Sequence, residues 1–385
     1  MKIVADGNIP FVKECFSSAG QVTVMPGREM TSKAIAGADA LLVRSVTKVD
    51  EQLLAGSKVK FVGAATIGFE HIDIDYLRRN NIDFASAPGS NANSVAEYVV
   101  AALLEMGAKY DLELAGKSIG IVGVGNVGNR VEKKCRALGM IPVLNDPPLK
   151  RQTGDRKYRP LKELFDCDVM TLHTPLTFEG QDKTFHLADE EFFKSLKSGV
   201  VFLNTSRGGV ADTAALKKAI KSGKVKAAVL DVWEDEPAID TELLEMADMG
   251  TPHIAGYSYD GKVAGMIMIY SALCKHFGME PEYTINDFLP PPAVPEIKLQ
   301  LPGHSQQQAV RAAVSEIYDI KVDDKRLREI LNMPLGKRCA TFDRLRKEYP
   351  SRREFQSTTV ILNSRHSDIA EKLSGIGFKV KNVDE

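Results

Sequence analysis

The sequence predicts an α/β protein made of two doubly wound parallel-sheet domains and a small α+β domain. Three observations predict it. Through roughly the first ninety residues, short apolar runs alternate with helix-capable polar segments. After Lys117 the alternation restarts on a glycine-rich turn. Beyond a proline cluster at 290–292, about a hundred residues of mixed character follow.

The elements follow in order. KIVAD (2–6), QVTVM (21–25), ALLVRS (40–45), VKFVGAA (59–65) and DFASA (83–87) are short and rich in Val, Ala, Leu or Phe, as buried parallel strands are. VDEQLLAG and DIDYLRRNN are the helices between them. PGSNANSVAEYVVAALLEMGAKY (88–110) carries a long apolar-periodic helix, with Ser94 and Glu97 spaced as an S-x-x-E capping box. KSIGIVG, IPVLND, CDVMTLHTP, GVVFLNTS, KAAVLDVW and MGTPHIAG are the strands of the second repeat. NVGNRVEKKCRALG and DTAALKKAIKSG are helices within it, and KVAGMIMIYSALCKHFG (262–278) is an apolar helix after it. PEYTINDFLPPPAVPEIKLQL reads as a linker or extended arm. Past it, AVRAAVSEIYDI is a helix and TTVILN a strand, and the basic run RLRKEYPSRR (344–353) is read as a solvated face, with a reach across a dimer toward a phosphate as the alternative.

Composition excludes several classes. Lys and Arg number 50 against 51 Asp and Glu, a balance that argues against a nucleic-acid or membrane-surface partner. The five cysteines are scattered without a C-x-x-C pair, which fits a reducing cytosol and offers no zinc site. His71, His173, His186, His276, His304 and His366 show no metal-ligand spacing, so no metal is expected, and His173 is read as structural. The apolar run VVAALL is too short to span a bilayer, and no signal-peptide pattern precedes the first strand. A cytoplasmic chain is the expectation.

IGIVGVGNVGNRV holds Gly123-x-Gly125-x-x-Gly128 between a strand and a helix, and Asp146 stands 18 residues beyond the last glycine at the end of the next strand. This is the dinucleotide pattern of a Rossmann-like domain. Gly123 permits the tight turn, Gly125 lets the backbone approach a pyrophosphate, and Gly128 allows close helix packing. Asn126 and Val127 complete the turn, where free N–H groups and the helix dipole favour phosphate. Asp146 suits the ribose hydroxyls of NAD and repels the extra phosphate of NADP. Lys150 and Arg151 lie near, but Pro147 and Pro148 steer the chain away first.

A hydroxy acid oxidised beside a nicotinamide needs a cation for its carboxylate, a base for its hydroxyl proton and a group that governs the base. Arg207 in LNTSRGG, Glu236 in LDVWEDEP and His253 in TPHIAG each follow a strand, at the carboxyl edge where such sheets bind ligands. A guanidinium forks onto a carboxylate, and a glutamate beside an imidazole favours its protonated form and fixes its tautomer. For a phosphorylated acid, Ser45 and Arg44 at the end of ALLVRS and Thr66 after VKFVGAA are candidate contacts, with Tyr257 closing from the other domain.

On NSVAEYVVAALL, VGVGNVGNRV, LHTPLT, LNTSRGGVADTAAL, LDVWEDEP and TPHIAG, the chain resembles the D-isomer-specific 2-hydroxyacid dehydrogenases. The resemblance implies Arg207, Glu236 and His253 as the catalytic set, with His253 as acid/base. It implies an NAD site lined by Asp146, Thr174, Ser206, Arg207, Asp231 and Gly256. It also implies a discontinuous substrate domain (1–92 and 258–285), an NAD domain (93–257) and a C-terminal domain (286–385) that makes a homodimer. The expected substrate is a small phosphorylated 2-hydroxy acid of four carbons, with a three-carbon acid as the alternative. A corepressor-type, NAD-sensing binding module is the alternative of another class.

Overall fold

The computed structural model describes residues 1–299, 303, 305–363 and 365–383, so His304 lies outside the described residues. The chain forms two compact units, Met1–Asn91 with Ser258–Pro291, and Ala92–Tyr257 with Pro292–Glu385.

The first unit is built on β1 (Lys2–Asp6), β2 (Gln21–Met25), β3 (Ala40–Val43), β4 (Phe61–Ala64) and β5 (Asp83–Ala85), all parallel in the order β2-β1-β3-β4-β5. Strand order reverses between β1 and β3. Every residue of β3 and β4 is buried, which is why both read as unbroken apolar runs. The helix Tyr259–His276 closes one face, placing Val263, Met266, Ile269 and Leu273 against Ile3, Ala5 and Leu42. Ser258 starts it by accepting the Gly261 N–H at 2.8 Å, a cap worth about 1 kcal/mol.

The second unit carries β6 (Ser118–Val122), β7 (Ile141–Asn145), β8 (Val169–Leu172), β9 (Val200–Asn204), β10 (Val225–Leu230) and β11 (Met249–Gly250). All are parallel, in the order β11-β10-β9-β8-β6-β7, and a bridge from Leu144 to Tyr158 extends the sheet beyond β7. The reversal falls between β6 and β8, the switch point where such sheets bind ligands. Asp189, Asp212 and Asp240 start the helices that follow, each accepting a backbone N–H at 2.8–2.9 Å.

Its C-terminal part is a small parallel sheet, β12 (Glu296–Lys298), β13 (Thr359–Asn363) and β14 (Lys379–Val383), ordered β12-β13-β14. The helices are Gln306–Ile317, Ile320–Arg328, Leu335–Lys347 and Ser367–Ile376. Where the sequence suggests one helix over 309–320, the chain turns extended at Tyr318, and Asp319 caps a second helix. This part shares a core with the long helix Ala92–Tyr110: Val310, Ala313, Phe355, Val360 and Leu373 lie in one cluster with Val99, Leu103 and Ile119.

Two expectations fail here, for one reason. The helix begins at Ala92, so Ser94 and Glu97 are not a capping box. Both face inward. Ser94 Oγ donates to Glu354 at 2.9 Å, and Glu97 accepts from Arg352 at 2.6 Å and from the Phe355 N–H at 2.9 Å. Nor is the 344–353 run a solvated basic face throughout: Arg344 and Lys347 are exposed, but the Arg352 side chain is 9% exposed and that of Glu97 0%. Arg352 also lies over the Tyr318 ring, 4.5 Å from its centroid. Burial pushes the Glu97 carboxyl up to about 7, against the pull of Arg352. Ser94 and Glu97, which looked like a helix start, and Arg352, from the basic run, belong to one buried network.

Among the described residues no helix is long and apolar enough to cross a membrane, and no cluster of His, Cys, Asp and Glu could hold a metal.

Candidate active site

The glycine-rich turn leaves β6 at Val122. Gly123 has φ +86°, and a Cβ there would lie 2.6 Å from the His173 carbonyl oxygen. A Cβ on Gly128 would lie 2.0 Å from the Gly123 carbonyl oxygen. Gly125, by contrast, faces open space and heads the helix Asn126–Ala137 without a side-chain cap. The N–H groups of Asn126, Val127 and Gly128 therefore stand at an uncapped helix end. Asp146 braces the turn from β7: one carboxylate oxygen accepts the Val124 N–H at 2.8 Å, the other the Leu149 N–H at 2.9 Å. Pro147 and Pro148 do not steer the chain away as expected. They occupy the first turn of a helix, Pro147–Thr153, where a missing N–H costs nothing. Arg151 pairs with Asp182, and Lys150 donates to the Asp155 carbonyl at 2.8 Å.

Across the switch point, Thr174 Oγ1 is buried and has no hydrogen-bond partner among the described residues. Its methyl would touch a Cβ on Gly123 at 3.0 Å. An orphaned hydroxyl beside a glycine cradle and an uncapped helix start fits a dinucleotide, which brings the oxygens these donors lack. His173 sits behind them between Thr171 and Thr205, at 3.0 and 3.2 Å. Burial pushes its imidazole down to about 3, so it is neutral and structural. Gly128→Ala is expected to weaken NADH binding by at least about tenfold, because the new methyl meets backbone that cannot yield. Fluorescence titration with NADH checks this, and unchanged affinity would show that the turn relaxes.

The turns after β9, β10 and β11 carry the other candidates. Arg207 donates from Nη1 to the Ser206 carbonyl at 2.9 Å, and Asn204 ties the turn by donating to the Arg207 carbonyl at 3.1 Å. A Cβ on Gly208 would overlap the Trp233 carbonyl oxygen at 1.8 Å, so the Arg207 turn lies hard against the turn that leads to Glu236. Glu236 accepts the Trp233 N–H at 2.8 Å through one oxygen, and its other oxygen lies 2.7 Å from His253 Nδ1. Burial raises the Glu236 carboxyl, but the His253 charge and hydrogen bond, the Trp233 N–H and the Arg346 guanidinium outweigh it and hold it below the usual value.

His253 has φ +56°, a left-handed conformation rare for a residue with a side chain. Asp231 holds it there. Its carbonyl accepts the His253 N–H at 2.7 Å, and its buried carboxylate accepts from Thr251 Oγ1, Ile254 N–H and Ala255 N–H at 2.7, 2.7 and 3.0 Å. Gly256 follows directly. Tyr257 comes next. Its half-buried ring meets that of Tyr349 edge-on, with centroids 5.8 Å apart. In the first unit, exposed Ser45 and half-buried Arg44 follow β3, and Arg44 donates to the Asn8 carbonyl at 3.0 Å. Thr66 follows β4 and donates to the Gly68 carbonyl at 2.9 Å.

Residues 93–255 match the D-isomer specific 2-hydroxyacid dehydrogenase, NAD binding domain family, and residues 288–377 match a domain of unknown function. Over nearly its whole length the chain is similar to erythronate-4-phosphate dehydrogenases. It is 41% identical to that of Hahella chejuensis, covering 99% of this chain and 100% of that one. It is 44% identical to that of Cronobacter sakazakii, covering 98% of each.

The chain belongs to the D-isomer specific 2-hydroxyacid dehydrogenase family.

Among solved structures, the family's NAD-bound 3-phosphoglycerate dehydrogenase of Entamoeba histolytica is 28% identical, with a TM-score of 0.61 over 75% of this chain and 99% of that one. The D-lactate dehydrogenase of Aquifex aeolicus, complexed with NAD and lactic acid, is 27% identical, with a TM-score of 0.58 over 72% and 96%. NAD is thus the family's cofactor, and the glycine turn, Asp146 and Thr174 stand in its binding domain. Sequence reasoning passed over Trp233 and Arg346. Trp233 donates from Nε1 to the Thr251 carbonyl at 2.9 Å, pinning the Glu236 turn to the His253 turn. Its signal was present, as the lone tryptophan between two candidate residues. Arg346 lies in the basic run 344–353, which stands out in the sequence without marking this arginine among its neighbours.

Proposed function

We propose that the protein oxidises 4-phospho-D-erythronate at C2 with NAD, giving (R)-3-hydroxy-2-oxo-4-phosphooxybutanoate, a step of pyridoxal 5′-phosphate synthesis. The observation that carries the reaction is the 2.7 Å contact between His253 Nδ1 and Glu236. A carboxylate only accepts, so the shared proton sits on Nδ1 and Nε2 is left as the acceptor. His253 Nε2 takes the hydroxyl proton as the C2–H bond breaks and the C2=O bond forms. The glycine turn, Asp146 and Thr174 would hold NAD, which would supply the hydride acceptor. Glu236 stabilises the imidazolium that results, and Arg207 binds the acid's carboxylate and polarises the oxygen. Ser45, Thr66, Arg44 and Tyr257 are the proposed substrate contacts. The full-length likeness to erythronate-4-phosphate dehydrogenases supports the four-carbon acid. We read residues 1–92 and 258–285 as the substrate domain, 93–257 as the NAD domain and 286–385 as the dimerisation domain of a cytosolic homodimer.

The test is NADH fluorescence in single turnover with 4-phospho-D-erythronate and 3-phosphoglycerate side by side. The four-carbon acid is expected to be preferred by roughly tenfold or more in kcat/KM. Preference for the three-carbon acid sinks the substrate assignment, and turnover of neither sinks the reaction.

A further inference from the structure

The C-terminal part reaches the catalytic pair. The helix Leu335–Lys347 buries Phe342 and packs Leu345 in the cluster that holds Trp233 and Ile239, on either side of Glu236. Phe342, Leu345, Arg346 and Tyr349 recur at i, i+3, i+4 and i+7, so they share one face. Tyr349 continues the turn, its N–H donating to the Arg346 carbonyl at 3.4 Å. Its hydroxyl is held by Asp323 at 2.9 Å, and its ring meets Tyr257, four residues beyond His253. Arg346 and Tyr349 thus approach the His253–Glu236 pair from one helix end.

Arg346 differs from other arginines of this part. Arg311 forks onto Glu105, Arg328 holds Asp324 and two carbonyls, and Arg352 holds Glu97. Arg338 donates to two carbonyls and to Thr241. Arg346 is half-buried, its Nε is buried without a hydrogen-bond partner, and no carboxylate lies within 4.0 Å of it among the described residues. A guanidinium carries five donors and no acceptor, so partial burial without oxygens around it is unfavourable. The Glu236 charge acts on it from a distance but does not pair with it. A phosphate fills that need, because two of its oxygens match the planar fork.

We propose that Arg346 receives the phosphate of the substrate, which makes the C-terminal part the determinant of preference for phosphorylated hydroxy acids. This rests on the reading above that the substrate is phosphorylated. The pyrophosphate of NAD is the other phosphate within the family's chemistry, and the experiment separates the two.

Arg346→Ala and Arg346→Lys in the full chain are compared with the parent on 4-phospho-D-erythronate and on unphosphorylated D-erythronate. The preference for the phosphorylated acid, as a ratio of kcat/KM values, is expected to fall roughly 10- to 150-fold in Arg346→Ala, chiefly through KM, with partial recovery in Arg346→Lys. Inorganic phosphate titrated into the NAD-loaded protein is expected to bind more weakly by a similar factor. Equal losses on both acids with a displaced pH profile would overturn the proposal, since Arg346 would then act through Glu236. So would weaker NADH binding, or an unchanged preference. Should the parent prefer neither phosphorylated acid, the functional reading falls, while the inorganic phosphate titration still decides the role of Arg346.

Discussion

His253→Ala is expected to lower kcat by roughly 10²- to 10⁴-fold, the usual contribution of a positioned acid/base, while NADH affinity stays within a few-fold. Two features set the size of the loss. His253 is held at side chain and backbone, by Glu236 at Nδ1 and by the Asp231 carbonyl at the backbone N–H, each at 2.7 Å. Neither His173 nor His186 substitutes for it. His173 is fixed between two threonines and is neutral, and His186 is engaged by Glu234 at 2.5 Å. NADH affinity is spared because the glycine turn and Thr174 belong to other strand ends. Glu236→Gln keeps an acceptor for Nδ1 and removes the charge, so a smaller loss is expected. Steady-state kinetics with NADH fluorescence titration measure both quantities. Near-normal kcat in His253→Ala would move the base elsewhere, and lost NADH binding would make the defect structural.

Arg352→Leu is expected to destabilise the protein by about 3–5 kcal/mol, the usual cost of removing one member of a buried ion pair. Glu97 is fully buried and Glu354 is 3% exposed, and the Asn93 amide donates to both, so the substitution leaves two neighbouring buried carboxyls without the guanidinium that pairs with Glu97. The deficit depends on pH, and its sign follows from the Glu97 carboxyl, which burial raises to about 7. A carboxyl raised in the folded state contributes stability that is fully present below its unfolded pKa of about 4.3 and is lost as pH rises through 7. Arg352 offsets that loss by attracting the charged form. Without it the loss grows, so the variant should lie closer to the parent at pH 5 than at pH 8. Urea unfolding at the two pH values measures the gap, and a gap independent of pH would show Glu97 neutral in both proteins.

The strands and the cofactor turn were legible because their signals are local. A buried parallel strand must be continuously apolar, and a glycine at φ +86° beside a carbonyl admits nothing else. Arg207, Glu236 and His253 were legible because each follows a strand, and the chain order of strands predicts where their ends gather. What was not legible is pairing between distant segments. Ser94 and Glu97 have the spacing of a capping box, yet their partners lie more than 250 residues away at 352–355. Nothing near Tyr257 in sequence announces its ring contact with Tyr349. The basic run at 344–353 mixes Arg346, Arg352 and exposed cations whose fates depend on packing alone.

Both units are discontinuous in sequence, and this bears on how the chain matures as it is made. The sheet of the first unit waits for the helix Tyr259–His276, and the helix Ala92–Tyr110 waits for Arg352, Phe355 and Leu373. At roughly 5–20 residues per second, the ribosome needs about 5–20 s to add the last hundred residues. Over that interval Glu97 and its helix have been synthesised, and the helix Asn126–Ala137 can already pack on it, but Arg352, Phe355 and Leu373 have not been made. The nascent chain therefore leaves Glu97 without its cation and part of that helix without its cover until those residues emerge, which makes their docking a late step in completing the second unit.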